Sequence, residues 1–156
     1  MHNKPAMHQI TLYTPAHQDA CMALFDSNCP HYFSTEERQP FLDWLQTEEA
    51  LGGRYFVLSI DNKILAAGGY FPRPEQKQTG LSWGMVHQDH HKKGFGTILT
   101  TFRLQAIAKE FPNWPCAINT SQHTKAFYER HGFVIKSMVL NAFGEGLHDC
   151  WMVHES

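Results

Sequence analysis

Within a dozen residues the chain changes its hydrophobic period. TGLSWGMV, Thr79 to Val86, alternates as a strand, and strict alternation puts Leu81, Trp83 and Met85 on one face. From Gly94 onward Phe95, Ile98, Leu99, Phe102 and Ala106 recur at helical spacing, with Ile107 and Phe111 extending the apolar surface until Pro112. The link between them, HQDHHKKGFG, is short, basic and punctuated by glycine. A strand that runs straight into a long helix through such a turn brings unpaired backbone N–H groups to the strand's end. Gly84 also interrupts the strand, which marks a bulge or a close backbone approach.

The other elements read in the same way. QITLY, Gln9 to Tyr13, alternates as a first strand, and Pro15 opens a helix through Ala20, Met22, Ala23 and Phe25 that stops before Pro30. Ser34 and Glu37 have capping-box spacing ahead of Phe41, Leu42, Trp44 and Leu45, a second helix ended by Gly52-Gly53. Arg54 to Ile60, the Asp61-Asn62 turn and Lys63 to Tyr70 form a β-hairpin, followed by a polar loop from Pro72 to Gln78. After the long helix, Cys116 to Thr120 is a strand, and Gln122 to Arg130 a helix ended by Gly132. Phe133 to Leu140 with Leu147 to Val153 form a closing pair of strands. The order β-α-α-β-β-β-α-β-α-β-β, without repeats or a linker, predicts one mixed α/β domain over residues 1–156, and 42% hydrophobic content supplies one sizeable core.

A formal charge of -2 gives no general field for nucleic acid or anionic lipid, so an anion site has to be local. No apolar run approaches the roughly 18 residues that span a bilayer, and the start MHNKPAMHQI has no signal-peptide pattern, so no membrane partner is expected and the expected location is cytoplasmic. Cys21, Cys29, Cys116 and Cys150 are widely spaced, which predicts reduced thiols rather than a disulfide or zinc framework. His87, His90 and His91 have only Asp89 beside them and read as solvated turn residues, so no metal is expected.

Gly94 and Gly96 at a helix start let the backbone approach an anion closely, the helix dipole favours negative charge there, and Lys92 and Lys93 add charge from the side. The turn therefore points to a phosphate-bearing ligand. It is not a P-loop, which needs GxxxxGK followed by Ser or Thr. The dinucleotide fingerprint wants a small residue where Leu99 stands.

A second block, SQHTKAFYERHGF, follows about two dozen residues later. Together the two blocks resemble the GCN5-related N-acetyltransferase (GNAT) family, which shows Q/R-x-x-G-x-G/A after a central strand and later a helix ending in L/F-Y-x-x-x-G-F. Here the first reads His91-Lys92-Lys93-Gly94-Phe95-Gly96 and the second Phe127-Tyr128-Glu129-Arg130-His131-Gly132-Phe133. The resemblance implies a mostly antiparallel central sheet flanked by helices. It implies that His91, Lys92, Lys93, Gly94, Phe95, Gly96 and Thr97 bind the pyrophosphate of acetyl-coenzyme A (acetyl-CoA). It further implies that Met85 and Val86 pair with the pantetheine arm where the Cys116 to Thr120 strand splays away, that Ser121 and Tyr128 lie at the cofactor, and that Tyr128 is the general acid. His91 stands where the family has Gln or Arg, and Ser121 and Thr124 stand where it often has Asn and Ala.

The activity so implied is transfer of acetyl to a primary amine, of a small molecule in this reading, by direct attack within a ternary complex. The alternatives are a protein lysine or N-terminus as acceptor, or a non-catalytic acetyl-CoA-binding module. An alkylammonium of pKa about 10 leaves about one molecule in a thousand nucleophilic at neutral pH, so a base or a desolvating pocket must help. The central strand carries no Glu or Asp, which leaves His31, Glu37, His87 or solvent for that role. Trp83, Trp44, Tyr32 and Phe33 are candidates to line an acceptor pocket, while Glu36 and Glu37 read as a cap and a solvated face. The closing strands leave pairing between two chains, as a homodimer, open.

Overall fold

Seven strands form one sheet in the order β1-β2-β3-β4-β5-β7-β6, in a computed structural model that describes residues 7–155. In chain order the elements are β1 (His8–Leu12), α1 (Gln18–Ser27), α2 (Arg38–Trp44), α3 (Glu48–Leu51), β2 (Tyr55–Ile60), β3 (Lys63–Arg73) and β4 (Gln78–Val86). Then follow α4 (Phe95–Glu110), β5 (Cys116–Thr120), α5 (Lys125–Arg130), β6 (Phe133–Gly144) and β7 (Leu147–His154). Every neighbouring pair is antiparallel except β4 with β5. On one face α1 and α2 bury Met22, Leu24, Phe25 and Phe41 with Tyr55, Val57 and Met85. On the other, Ile107 of α4 and Tyr128 of α5 pack with Tyr70, Leu81, Ile118 and Met152.

Several bounds differ from the sequence reading for local reasons. Pro15–His17 closes as a separate 3-10 turn through reciprocal Thr14 and His17 capping, so α1 begins only at Gln18. The second helix splits after Trp44, and Thr47 caps α3 by accepting from the Ala50 N–H at 3.3 Å. α5 starts at Lys125 rather than Gln122, because the Gln122 side chain is held by the β6–β7 turn. Its Nε2 donates to the Gly146 carbonyl at 2.7 Å and its Oε1 accepts from the His148 N–H at 2.9 Å. β6 extends past Leu140 to Gly144.

Two departures shape the interior. Leu81 packs on the α4 face, whereas Trp83 and Met85 pack on the α1 face, so the three do not share a side. The cause is a bulge: Met85 opposes Ala67 and Ser82 opposes Gly69, so three steps along β4 match two along β3. Trp83 takes φ 38°, which is uncommon for a bulky side chain. Its carbonyl accepts from the hydroxyl of buried Tyr55 at 2.8 Å, and its ring lies 4.8 Å from that of Phe41.

The second departure is on α4, whose buried stripe is Leu99, Thr100, Arg103 and Ile107. Phe102 is only half-buried and stacks edge-on against Phe56 at 5.0 Å. The stripe turns toward Arg103 because the strands above it carry no side chain there. A Cβ on Gly68 would lie 3.1 Å from the Arg103 guanidinium, and one on Gly84 would lie 2.9 Å from it.

Tyr55→Phe removes the one side-chain bond that holds the bulge from the α1 face. We expect it to lower stability by about 1–2 kcal/mol, the usual cost of leaving a sheltered carbonyl unpaired, measured by urea or thermal unfolding.

Candidate active site

β4 and β5 pair only at Thr79 with Cys116 and Gly80 with Ala117. Beyond Gly80 the strands part, and a cavity of about 860 Å³ opens along the free edge of β4. Its walls come from both faces of the sheet: Thr97, Thr100, Arg103 and Tyr128 on the α4 and α5 side, Asn28, Phe33, Glu37 and Trp44 on the α1 and α2 side. The cavity therefore passes through the sheet.

At one end stands the N-terminus of α4. Gly94 is its N-cap at φ 88°, a left-handed conformation that suits glycine, and no side chain caps the helix. The first N–H groups of a 16-residue helix are thus left for solvent or an anion. A Cβ on Gly96 would lie 3.3 Å from the Phe127 ring, so this glycine lets α4 approach α5. Lys92, also left-handed at φ 62°, and Lys93 are exposed. The His131 Nε2 lies 3.5 Å from the Thr97 hydroxyl, and burial, then Arg130 and Arg103, lower the His131 pKa.

The histidines of this turn are not simply solvated. His91 is half-buried and bonds the Val86 carbonyl at 2.8 Å; a carbonyl only accepts, so the His91 Nε2 carries the proton. The Asn28 amide donates to the same carbonyl at 2.9 Å, which fills both its lone pairs. The His87 Nδ1 accepts from the Asp89 N–H at 3.1 Å. His90 stays half-buried, its pKa lowered by burial and then by Lys93.

Tyr128 is buried on α5, its ring edge-on to Phe127 at 5.0 Å and Phe133 at 5.5 Å, and it lines the cavity. Among the described residues nothing hydrogen-bonds its hydroxyl, which leaves that group for a ligand. Ser121, also buried and lining, accepts through its carbonyl from the Thr124 N–H and hydroxyl. Of the residues expected at the cofactor, Met85, Val86, His91, Lys92, Gly94, Gly96, Thr97, Ser121 and Tyr128 line this one cavity. Lys93 and Phe95 do not; Phe95 packs instead beside Leu58, Leu65 and Leu99.

The opposite end is aromatic and acidic. Phe33, Trp44 and Trp83 line it, together with Glu37 and Glu49, while Tyr32 lines the cavity beside the α4 turn, its ring 5.0 Å from that of His91. Glu36 is exposed and outside it, as a solvated residue should be. Glu37 does close the capping box, its Oε2 accepting from the Ser34 N–H at 2.9 Å, but it also faces the cavity. Burial pushes its pKa up, the bonds from Ser34 pull it down, and Asp149 adds a smaller upward push. His31 and His87 lie outside the cavity; His31 stacks on His123 at 4.0 Å.

Sequence reading missed Asn28, Arg130 and Arg103, all of which line the cavity. An arginine four residues after Leu99 on an apolar helix stripe was the available sign of the last. The cysteines are free thiols; burial lifts Cys21 to about 12 and Cys116 to about 11, which leaves both inert at neutral pH. Among the described residues no group of three His, Cys, Asp or Glu is placed to hold a metal ion, and no helix is long and apolar enough to cross a membrane.

Residues 19–133 match the Acetyltransferase (GNAT) family. The chain belongs to that family. No curated protein matches the sequence. Among solved structures, this GNAT chain resembles the ribosomal-protein-alanine N-acetyltransferase of Brucella melitensis with TM-score 0.75 and 15% identity, over 95% of this chain and 99% of that one. The yncA protein of Salmonella typhimurium, solved with its cofactor acetyl-CoA, gives 0.72 and 17% over 96% and 94%. An aminoglycoside 6'-N-acetyltransferase complexed with coenzyme A gives 0.69 and 16% over 94% and 96%. At these identities the likeness is one of fold.

The raised Glu37 pKa has a consequence for stability. A carboxyl whose folded pKa lies above its unfolded value contributes stability that is present below the unfolded pKa and lost as pH rises through the folded one. Glu37→Gln keeps a capping oxygen and removes that loss. Urea titrations should therefore show the variant gaining on the wild type as pH rises from 4 toward 7; a constant difference would show that Glu37 ionises as an ordinary surface carboxylate.

Proposed function

We propose that this acetyltransferase moves the acetyl group of acetyl-CoA onto the amine of a small molecule, by direct attack with both substrates bound. The observation that carries the reading is the cavity itself, which joins an uncapped helix N-terminus to an aromatic, acidic chamber through the gap between β4 and β5.

The residues present fit coenzyme A. In this reading the backbone from His91 to Thr97 with Lys92 would hold the pyrophosphate, and Lys93 would add charge from outside the cavity. The Val86 carbonyl already has two donors, so the pantetheine contacts fall to Met85 and the unpaired edge of β4 before it, with Val86 as wall. When bound, acetyl-CoA supplies a thioester carbon that accepts the amine lone pair, carries negative charge to its oxygen and releases a thiolate. Glu37 is the cavity-lining candidate among the three side chains first considered as base, and takes the proton lost by the acceptor nitrogen. Its raised pKa brings it closer to the proton it must capture. Tyr128 holds a proton on an otherwise unbonded hydroxyl and gives it to the leaving sulfur. Backbone N–H groups of the bulged segment are donors for the negative charge on oxygen.

Two features favour a small acceptor. Carboxylates at Glu37 and Glu49 among Phe33, Trp44 and Trp83 suit a compact cation, held by charge and by ring faces. β6 also bounds the chamber on one side: Phe143 lines it, and Gly144 of β6 sits so near Ser34 that a Cβ there would lie 2.9 Å from the Ser34 Cβ. Free thiols at all four cysteines suit a reducing compartment such as the cytoplasm.

Thiol release with polyamines, amino acids, aminoglycosides and short peptides at equal concentration tests the acceptor; activity confined to peptide N-termini or protein lysines overturns the small-molecule reading. Gly94→Val forces a branched residue into a left-handed position and should weaken coenzyme A binding about tenfold or more by calorimetry, with Lys92→Ala smaller and salt-sensitive. Tyr128→Phe should keep that affinity and lose about 100-fold or less in turnover. A thiol with pKa near cysteine's, about 8.5, is already a fair leaving group, so the acid helps without being obligatory. Wild-type turnover in Tyr128→Phe across the pH range would make Tyr128 a packing residue.

A further inference from the structure

Among the described residues Arg103 is the one charged side chain that is fully buried, at 1% exposure. It has no carboxylate partner: the ion pairs are Arg38 with Asp26, Arg54 with Glu110, Lys125 with Glu129, and His87 with Asp89. Two of its nitrogens find acceptors, Nη1 at the Gly69 carbonyl and Nη2 at the Thr100 hydroxyl, both at 3.3 Å, while Nε has none. A guanidinium so placed loses its hydration for two long hydrogen bonds. Removing such a charge in favour of an apolar residue of similar volume is commonly neutral or stabilising. Fold stability alone therefore gives no reason for arginine at this turn of α4, where Leu99 and Ile107 continue the stripe on either side.

Its position supplies one. The guanidinium lies in the niche left by Gly68 and Gly84, directly against the bulge of β4, and it lines the cavity. Tyr55 holds the same bulge from the opposite face through the Trp83 carbonyl. In a setting that excludes water, a full positive charge acts over several ångströms with little screening.

We propose that Arg103 is a positioning residue of the acyl-transfer site, a buried cation that seats the β4 bulge and gives that segment a positive potential toward the charge developed on the acyl oxygen. The proposal rests on the reading above that the bulge borders the reacting thioester. It differs from a role in cofactor affinity, which belongs to the turn at Gly94, and from a role in folding, which an apolar residue would fill better.

Arg103→Met and Arg103→Lys, compared with the wild type in thermal unfolding, coenzyme A calorimetry and thiol release, test it. Arg103→Met should unfold at the wild-type temperature or above and bind coenzyme A within about threefold of wild type. Its kcat should fall about 10- to 100-fold, somewhat less than loss of a direct oxyanion donor, with KM for both substrates little changed. Arg103→Lys, which keeps the charge without the fork, should recover part of that loss. The proposal is overturned if Arg103→Met fails to fold or unfolds several degrees lower, if its kcat stays at the wild-type value, or if the lysine variant is no faster than the methionine one. The thermal comparison needs no turnover, so it can overturn the proposal by itself. Absence of thiol release from the wild type would instead overturn the acetyl-transfer reading on which it rests.

Discussion

β4 keeps β3 as a partner over most of its length but holds β5 at only two residue pairs. Because β4 and β5 run parallel, the chain between them has to cross over one face of the sheet and return to the starting end. α4 makes that return: 16 residues rise about 24 Å, close to the roughly 30 Å that nine-residue β4 spans outward. The crossover brings Cys116 back level with Thr79, where the strands pair, and leaves the N-terminus of α4 at the end where they have parted. One topological step thus sets the uncapped end of α4 beside the opening in the sheet.

A gap in a sheet exposes backbone and invites collapse, and the bulge is where this fold resists it. A left-handed Trp83 costs on the order of 1–2 kcal/mol, comparable with the single hydrogen bond that Tyr55 returns. The rest comes from packing: Trp83 against Phe41 and Phe33 on one face, and Arg103 under Gly84 on the other. Shifting one residue also moves Trp83 across the sheet from Leu81, so the chamber gains an aromatic wall while Leu81 stays in the α4 core. The same irregularity frees the strand edge and furnishes the pocket.

Features set by neighbours in sequence were legible. The element order, the Ser34–Glu37 capping box, the Gly94 turn and the short helix carrying Tyr128 all follow from local spacing. Features set by another strand or helix were not. Alternation assumes an unbroken strand, so it placed Leu81 with Trp83; Gly84 hinted at a bulge, but its direction depends on β3. The glycine pair in KILAAGGY read as part of an ordinary strand, because nothing local says that Gly68 clears space for a side chain 35 positions later. Arg103 was missed for the same reason, and Glu37 was one of several candidate bases with nothing local to single it out: both residue types usually face solvent, and only tertiary placement turns them inward.

The near-neutral composition concealed the property that matters most electrostatically. A chain of formal charge -2 has no strong overall field, yet its cavity is polarised along its length. Lys92, Arg103 and Arg130 line it toward α4 and α5, and Glu37 and Glu49 line it toward α2 and α3. The two sets face one cavity that passes through the sheet, and none of the described salt bridges links them. An anionic donor and a cationic acceptor would then each meet a complementary potential on its own side of the sheet and a repulsive one on the other. The polarity of the cavity rests on the placement of five side chains, which a sum over the sequence does not reveal.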